Sequence, residues 1–141
     1  MTERNPVAYS DALLVDQFLI DQLGQLPYSS TGTRRICMHQ DERASLHMML
    51  VNSQDGKVFP IHRHTDGDEM TFIIQGEIEI VIFGEDPTAK PEAHIVSTLG
   101  GTKAIRIPKN YWHQTRSLSA NAIYFEVKTG PFDRSAMEML T

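Results

Sequence analysis

A chain of 141 residues is expected to fold as one compact domain, because half that length would bury too little surface for a second stable core. Its 40% hydrophobic and 22% charged composition is that of a folded globular protein, and its net charge of -5, with Lys and Arg scattered, leaves no basic stripe for nucleic-acid phosphates. A single cysteine, Cys37, excludes an internal disulfide; no basic-then-apolar block opens the chain and no apolar run approaches the ~18 residues of a membrane helix, so a cytoplasmic protein without membrane partners is expected.

The first predicted element is an amphipathic helix over 10–25. Leu13, Leu14, Phe18, Leu19 and Leu23 recur at three- and four-residue spacing, Ser10 is placed to cap the first turn, and Gly24 and Pro27 mark the end. A loop follows to Thr33. From there the pattern turns to short runs of period two, punctuated by Gly, Pro, Asn or Asp, which predict strands over 35–39, 46–52, 58–64, 69–75, 77–83, 94–99, 104–107, 112–117 and 122–128. Ile78, Ile80 and Ile82 share one face of the fifth run while Glu77 and Glu79 share the other, and Gln75-Gly76 joins that run to its predecessor. The closing residues, 135–141, read as a short helix or a tail. The expected division is thus an N-terminal helical extension over 1–33, an all-β barrel over 34–134 and a C-terminal tail over 135–141.

The chemistry-bearing residues lie on these strands. Period two puts His62 and His64 on one face, where they are either two ordinary polar positions or a pair of imidazole ligands. Glu69 opens the next strand after the loop 65–68, so a hairpin can add its carboxylate; His113 has to arrive from a remote strand, as closure of a barrel allows. Asp66 and Asp68 lie in the loop itself, where Asp commonly makes local hydrogen bonds.

Taken together these positions resemble the cupin superfamily. Its first motif runs Gly, five residues, His-x-His, three or four residues, Glu, six residues, Gly, and this sequence has Gly56, His62, His64, Glu69 and Gly76 in that register. The second, Gly, five residues, Pro-x-Gly, two residues, His, three residues, Asn, is matched more loosely by Gly101, Pro108, Asn110, His113 and Ser117, with one extra residue after Gly101. Asn110 replaces a motif glycine, a change that a left-handed turn tolerates. The resemblance implies a double-stranded β-helix (jelly-roll barrel) and one divalent transition metal ion held by His62, His64, Glu69 and His113. Segments 34–39, 48–50, 60–64 and 125–133 are further similar to the WbuC-type cupins, proteins found alongside bacterial surface-polysaccharide genes. That likeness implies a small N-terminal helical extension, a sugar-derived ligand and a homodimer.

Three imidazoles and a carboxylate suit zinc, iron, manganese, nickel or copper. An ion with open positions could serve an isomerase, epimerase, hydrolase or oxygenase acting on a small polar molecule; the alternatives are a non-catalytic ligand-binding or sensing module and a structural metal. Metal is expected to leave in mild acid, because histidine must be neutral to bind. No catalytic residue is assigned. Outside the motifs, Arg35, His39, Tyr111 and Glu126 are pocket candidates: Arg35 for its planar fork of donors, His39 for its place near Arg35, Tyr111 for its place in the turn, Glu126 as a general base. For Arg35 the competing reading is a surface ion pair, and for His39, His47 and His94 an ordinary hydrogen-bonded histidine. Trp112 should face away from His113 as a packing residue.

Overall fold

The structure, a computed structural model, describes residues 5–9 and 12–141. Among them a helix, α1 (Gln17–Gln25), precedes ten strands: β1 (Thr33–Cys37), β2 (Leu46–Ser53), β3 (His62–His64), β4 (Glu69–Gln75), β5 (Glu77–Gly84), β6 (Glu92–Ser97), β7 (Ala104–Ile107), β8 (Trp112–Ser117), β9 (Ile123–Thr129) and β10 (Met137–Met139). They form two five-stranded sheets in the orders β1-β2-β9-β4-β7 and β10-β3-β8-β5-β6, with every pairing antiparallel. The all-β barrel expected from the period-two runs is present.

The helix is shorter than its periodicity predicts. Asp16 sits in extended backbone and its carboxylate accepts from Leu19 N at 3.0 Å, which caps the helix there and leaves Leu13 and Leu14 outside it. Ser10, the expected cap, lies outside the described residues. Gly24 falls inside the last turn, and Leu26 N closes the helix on Leu23 O at 3.2 Å. Only Leu19 and Leu23, one turn apart, are buried; they pack with Ile36, Met38, Leu50 and Ile123 on the outer face of the first sheet, while Phe18 points to solvent. Leu23 is wholly buried, worth about 2 kcal/mol of transfer free energy.

Strand β1 lies two residues before its expected 35–39 and β2, β5 and β9 differ by one residue; three further differences have local reasons. The run 58–64 contributes a ladder only over β3, because Pro60 has no N–H to give; before it, Val58 makes an isolated bridge to Arg116 and Phe59 N donates to Thr115 O at 2.9 Å. Strand β6 starts and ends two residues before its predicted bounds, since Ser97 Oγ accepts from Leu99 N and turns the chain ahead of Gly100. The closing segment is a 3₁₀ turn (Arg134–Ala136) followed by β10, which pairs with β3 in the register Met137 to His64 and Met139 to His62. A three-residue strand with one apolar alternation carries too little pattern to be read in advance.

The barrel interior is filled unevenly. Val51, Ile73, Ile78, Ile80, Val96, Ile107, Ala122 and Tyr124 form the core between the sheets. In the first sheet Val51, Tyr124 and Ile73 make one inward row across β2, β9 and β4. The next two inward rows are Met49, Glu126, Thr71 and then His47, Lys128, Glu69. Polarity thus rises stepwise toward one end of the barrel, and that end is hollow.

Candidate metal centre

Strand β3 places His62 and His64 inward, and His62 is the direct cross-strand partner of His113 on β8. The ring centroids of His62 and His113 are 4.3 Å apart, those of His62 and His64 5.3 Å, and those of His64 and His113 5.8 Å. Each of the three offers a ring nitrogen, and these atoms all lie within 4.8 Å of one another, a spacing at which the triad could hold a metal ion. Glu69 enters from the opposite sheet: its Oε2 is 2.9 Å from His64 Nε2 and its Oε1 is 3.8 Å from His113 Nε2.

Main-chain contacts orient two of the rings. His62 Nδ1 donates to Pro60 O at 2.8 Å and His113 Nδ1 to Tyr111 O at 2.9 Å; since a carbonyl only accepts, each ring carries its hydrogen on Nδ1 and turns the Nε2 lone pair inward. His113 Nε2 is buried without a hydrogen-bond partner among the described residues, and His64 Nε2, equally buried, has only the Glu69 carboxylate at 2.9 Å, out of line for a hydrogen bond. Buried inward nitrogens beside a buried carboxylate are what a cation would satisfy. Burial, followed by the nearby His113, lowers the His62 pKa to about 4; burial also lowers that of His113. Burial by itself would raise the Glu69 carboxyl, but His64, then His113 and His62, outweigh it and hold the group at about 2. His62 and His113 are thereby biased toward the neutral imidazole and Glu69 toward the ionised carboxylate, the forms that bind metal.

The second motif supplies the turn that delivers His113. Asn110 is the non-glycine residue with positive φ among those described, at 68°, and its N–H donates to His64 O at 2.7 Å, tying the turn to the histidine strand. Asp68 holds the same turn from the other side, accepting from Lys109 N at 2.9 Å and pairing with Arg106 Nη1 at 2.8 Å. The loop aspartates therefore make long-range bonds rather than the local ones expected, Asp66 likewise binding Lys128 Nζ at 2.6 Å.

Above the triad lies a cavity of about 310 Å³. His62, His64 and Glu69 line it, with Arg35 and Glu126 from the first sheet. Burial, then the charge of Glu69, pushes the Glu126 carboxyl up to about 7, with Arg35 opposing the shift. The other two pocket candidates stand elsewhere. Tyr111 packs against the apolar core and offers the centre only its carbonyl. His39 lies beyond the end of β1, accepts from Met48 N at 3.1 Å and stacks at 4.0 Å on His47. It is His47 that lines the cavity, one register row from Met49. His94 stays at an edge, 3.7 Å from Glu92. Trp112 faces away from the centre as expected, buried under the Arg63 guanidinium at 4.7 Å. Phe132, Met137 and Met139 also line the cavity and were missed, because nothing in a C-terminal run of mixed polarity signals a return to the barrel mouth.

Comparison with solved structures places this architecture. KdgF from Halomonas sp. aligns with a TM-score of 0.60 at 18% identity, over 79% of this chain and 92% of that one. Oxalate decarboxylase from Bacillus subtilis aligns at 0.62 and 16% identity, over 84% of this chain but 31% of its own. CapF, solved with the inhibitor 3-isopropenyl-tropolone, aligns at 0.64 and 16%, over 81% of this chain and 33% of its own. The fold is the cupin jelly roll. The narrower WbuC-type likeness gains nothing from these alignments, and among curated proteins none matches the sequence. Residues 15–95, more than half of the chain, match the protein family described as "Domain of unknown function (DUF6016)".

Proposed function

We propose, for a chain that belongs to the DUF6016 family, a metal-dependent cupin enzyme with one divalent transition metal ion held by His62, His64, Glu69 and His113. The observation that carries this reading is the pair of buried Nε2 atoms, on His64 and His113, that make no aligned hydrogen bond among the described residues and face a buried carboxylate at the base of a cavity. Zinc, iron, manganese and nickel all suit three imidazoles and a carboxylate. When bound, the ion would polarise a carbonyl or hydroxyl oxygen of a small polar molecule, or a water, in an isomerase, epimerase, hydrolase or oxygenase reaction.

The chain's own residues supply the rest. Main-chain carbonyls of Pro60 and Tyr111 fix two imidazole tautomers, so the ligand atoms need no rearrangement. Glu126, absent from the cupin motifs, gives the cavity a carboxyl whose ordinary range has moved up to about 7, where its oxygen can take or release a proton near neutrality. Because His62, His64 and Glu69 all line the cavity, a small molecule has access to the centre, which favours the enzyme over a structural metal site. The neighbours named above supply the analogy of fold alone, and a sugar-derived substrate rests on the WbuC-type likeness. A homodimer belongs to the same proposal, supported by Leu14, Phe18 and Phe72 exposed on the outer surface, as does a reducing cytoplasm for a chain with one cysteine.

Elemental analysis of untagged protein purified without chelator, run beside His113→Ala, tests the reading. One metal per chain, lost in the variant, is the expected result; no metal in either protein would end the enzyme proposal in this form.

A further inference from the structure

The cavity holds one positive charge that feels the nearby Glu126 but forms no ion pair with it. Two cationic side chains line it. Lys128 is bound to Asp66 at 2.6 Å, whereas no hydrogen bond or ion pair among the described residues reaches the Arg35 guanidinium. Arg35 stands on β1 opposite Val51, which pairs in turn with Tyr124 of β9, and Glu126 follows two residues along that strand. Glu126 lines the same cavity without forming an ion pair with Arg35. A guanidinium cannot shed its charge, and placing it among Met49, Phe59, Phe132 and Met137 removes part of its hydration. An unpaired, partly desolvated planar fork of donors is complementary to a bidentate anion.

We infer that Arg35 is the anion clamp of this cavity and that its ligand is a small organic monocarboxylate with an apolar body. The inference rests on the metal-centre reading in placing the ligand's other polar end at the histidines and in counting the ion's charge. A carboxylate is favoured over a phosphate by the charges on the wall. Glu69 and Asp133 line the cavity too and would offset the two charges of a divalent ion at the histidines, so Arg35 leaves about one positive charge for the ligand, which a monoanion balances and a dianion exceeds. The thioethers and rings of the remaining lining give an apolar body its contacts, and about 310 Å³ accommodates a molecule of roughly drug-fragment size.

The test titrates hexanoate, hexanamide and inorganic phosphate calorimetrically into the full chain, into Arg35→Met and into Arg35→Lys, with metal content and melting temperature measured on each sample. Hexanoate should bind the wild type and weaken about tenfold or more in Arg35→Met, with Arg35→Lys between them and hexanamide indifferent to the substitution. Equal hexanoate affinity in the wild type and Arg35→Met, no hexanoate binding to the wild type, or a preference for phosphate would each overturn the inference. Should Arg35→Met fail to fold, the wild type decides alone: hexanoate must bind about tenfold better than hexanamide. Arg35-dependent hexanoate binding by protein without metal would sink the metal reading and leave the clamp, and one metal per chain with no preference for hexanoate would do the reverse.

Discussion

His62 and His113 are paired directly across β3 and β8, so the two halves of the cupin signature meet at one rung of the second sheet. That rung makes the centre dependent on barrel closure rather than on either motif alone. Removing His113 takes away an orphaned inward nitrogen and leaves its neighbours in place. Metal affinity in His113→Ala should therefore fall by more than the ~10–100-fold that losing an outer partner of a ligand costs. His94→Ala, at the edge beside Glu92, should retain wild-type metal content; equal loss in both, by competitive chelator titration, would remove the assignment.

Acid should act on the metal-free protein before it acts on the fold as a whole. Burial depresses His62 to about 4, so between roughly pH 6.5 and 4 the unfolded chain binds a proton at this residue that the folded chain refuses. The stability contributed by neutral His62 is complete above pH 6.5 and is lost as pH falls toward 4; His113 is shifted in the same direction. Melting temperature of the apoprotein should decline across that window. Bound metal should hold the melting temperature up until the ion leaves in mild acid, because protons and metal compete for the same ring nitrogens. Melting curves of the apoprotein that are flat from pH 7 to 4, or full metal occupancy down to pH 4, would contradict this account.

Much of the centre was legible in the sequence because its parts are local. His62 and His64 obey a strand period that survives even though β3 is only three residues long, and the spacing from Gly56 through Glu69 to Gly76 is read within one continuous stretch, although β3 and β4 lie in opposite sheets instead of forming the expected hairpin. Strands β4, β7 and β8 fall on their predicted bounds for the same reason. The helix start was misplaced because Leu13 and Leu14 keep a helical period that Asp16 cuts off by capping. The cavity was legible only in fragments. Arg35 and Glu126 were singled out, but His47 and the methionines of β10 reach it through pairings, β2 with β9 and β10 with β3, that no local spacing encodes.

Asn110 offers a clean test of why the second motif tolerates its missing glycine. At φ 68° a side chain with a Cβ meets its own carbonyl, and Asn relieves part of that cost where Ala cannot. Asn110→Ala should cost about 1 kcal/mol and lower the melting temperature by a few degrees, whereas Asn110→Gly should match the wild type. Since Asn110 N donates to His64 O, the Ala variant should also release metal faster. Identical melting of all three proteins would show that the turn carries no strain.

The last strand gives the most direct handle on the cavity mouth. β10 covers the free edge of β3, Leu140 N donates to Ile61 O at 2.9 Å, and Glu138 pairs with Arg63 at 2.8 Å. The ion pair is half exposed and worth little, so Glu138→Ala should melt within a degree or two of the wild type. Ending the chain after Ala136 removes the ladder and also Met137 and Met139 from the cavity wall. Its melting temperature should fall by about 5 °C, and hexanoate should bind less tightly while the metal histidines remain in place. A truncated chain with unchanged hexanoate affinity would mean that β10 shields the edge of β3 without shaping the ligand's apolar contacts.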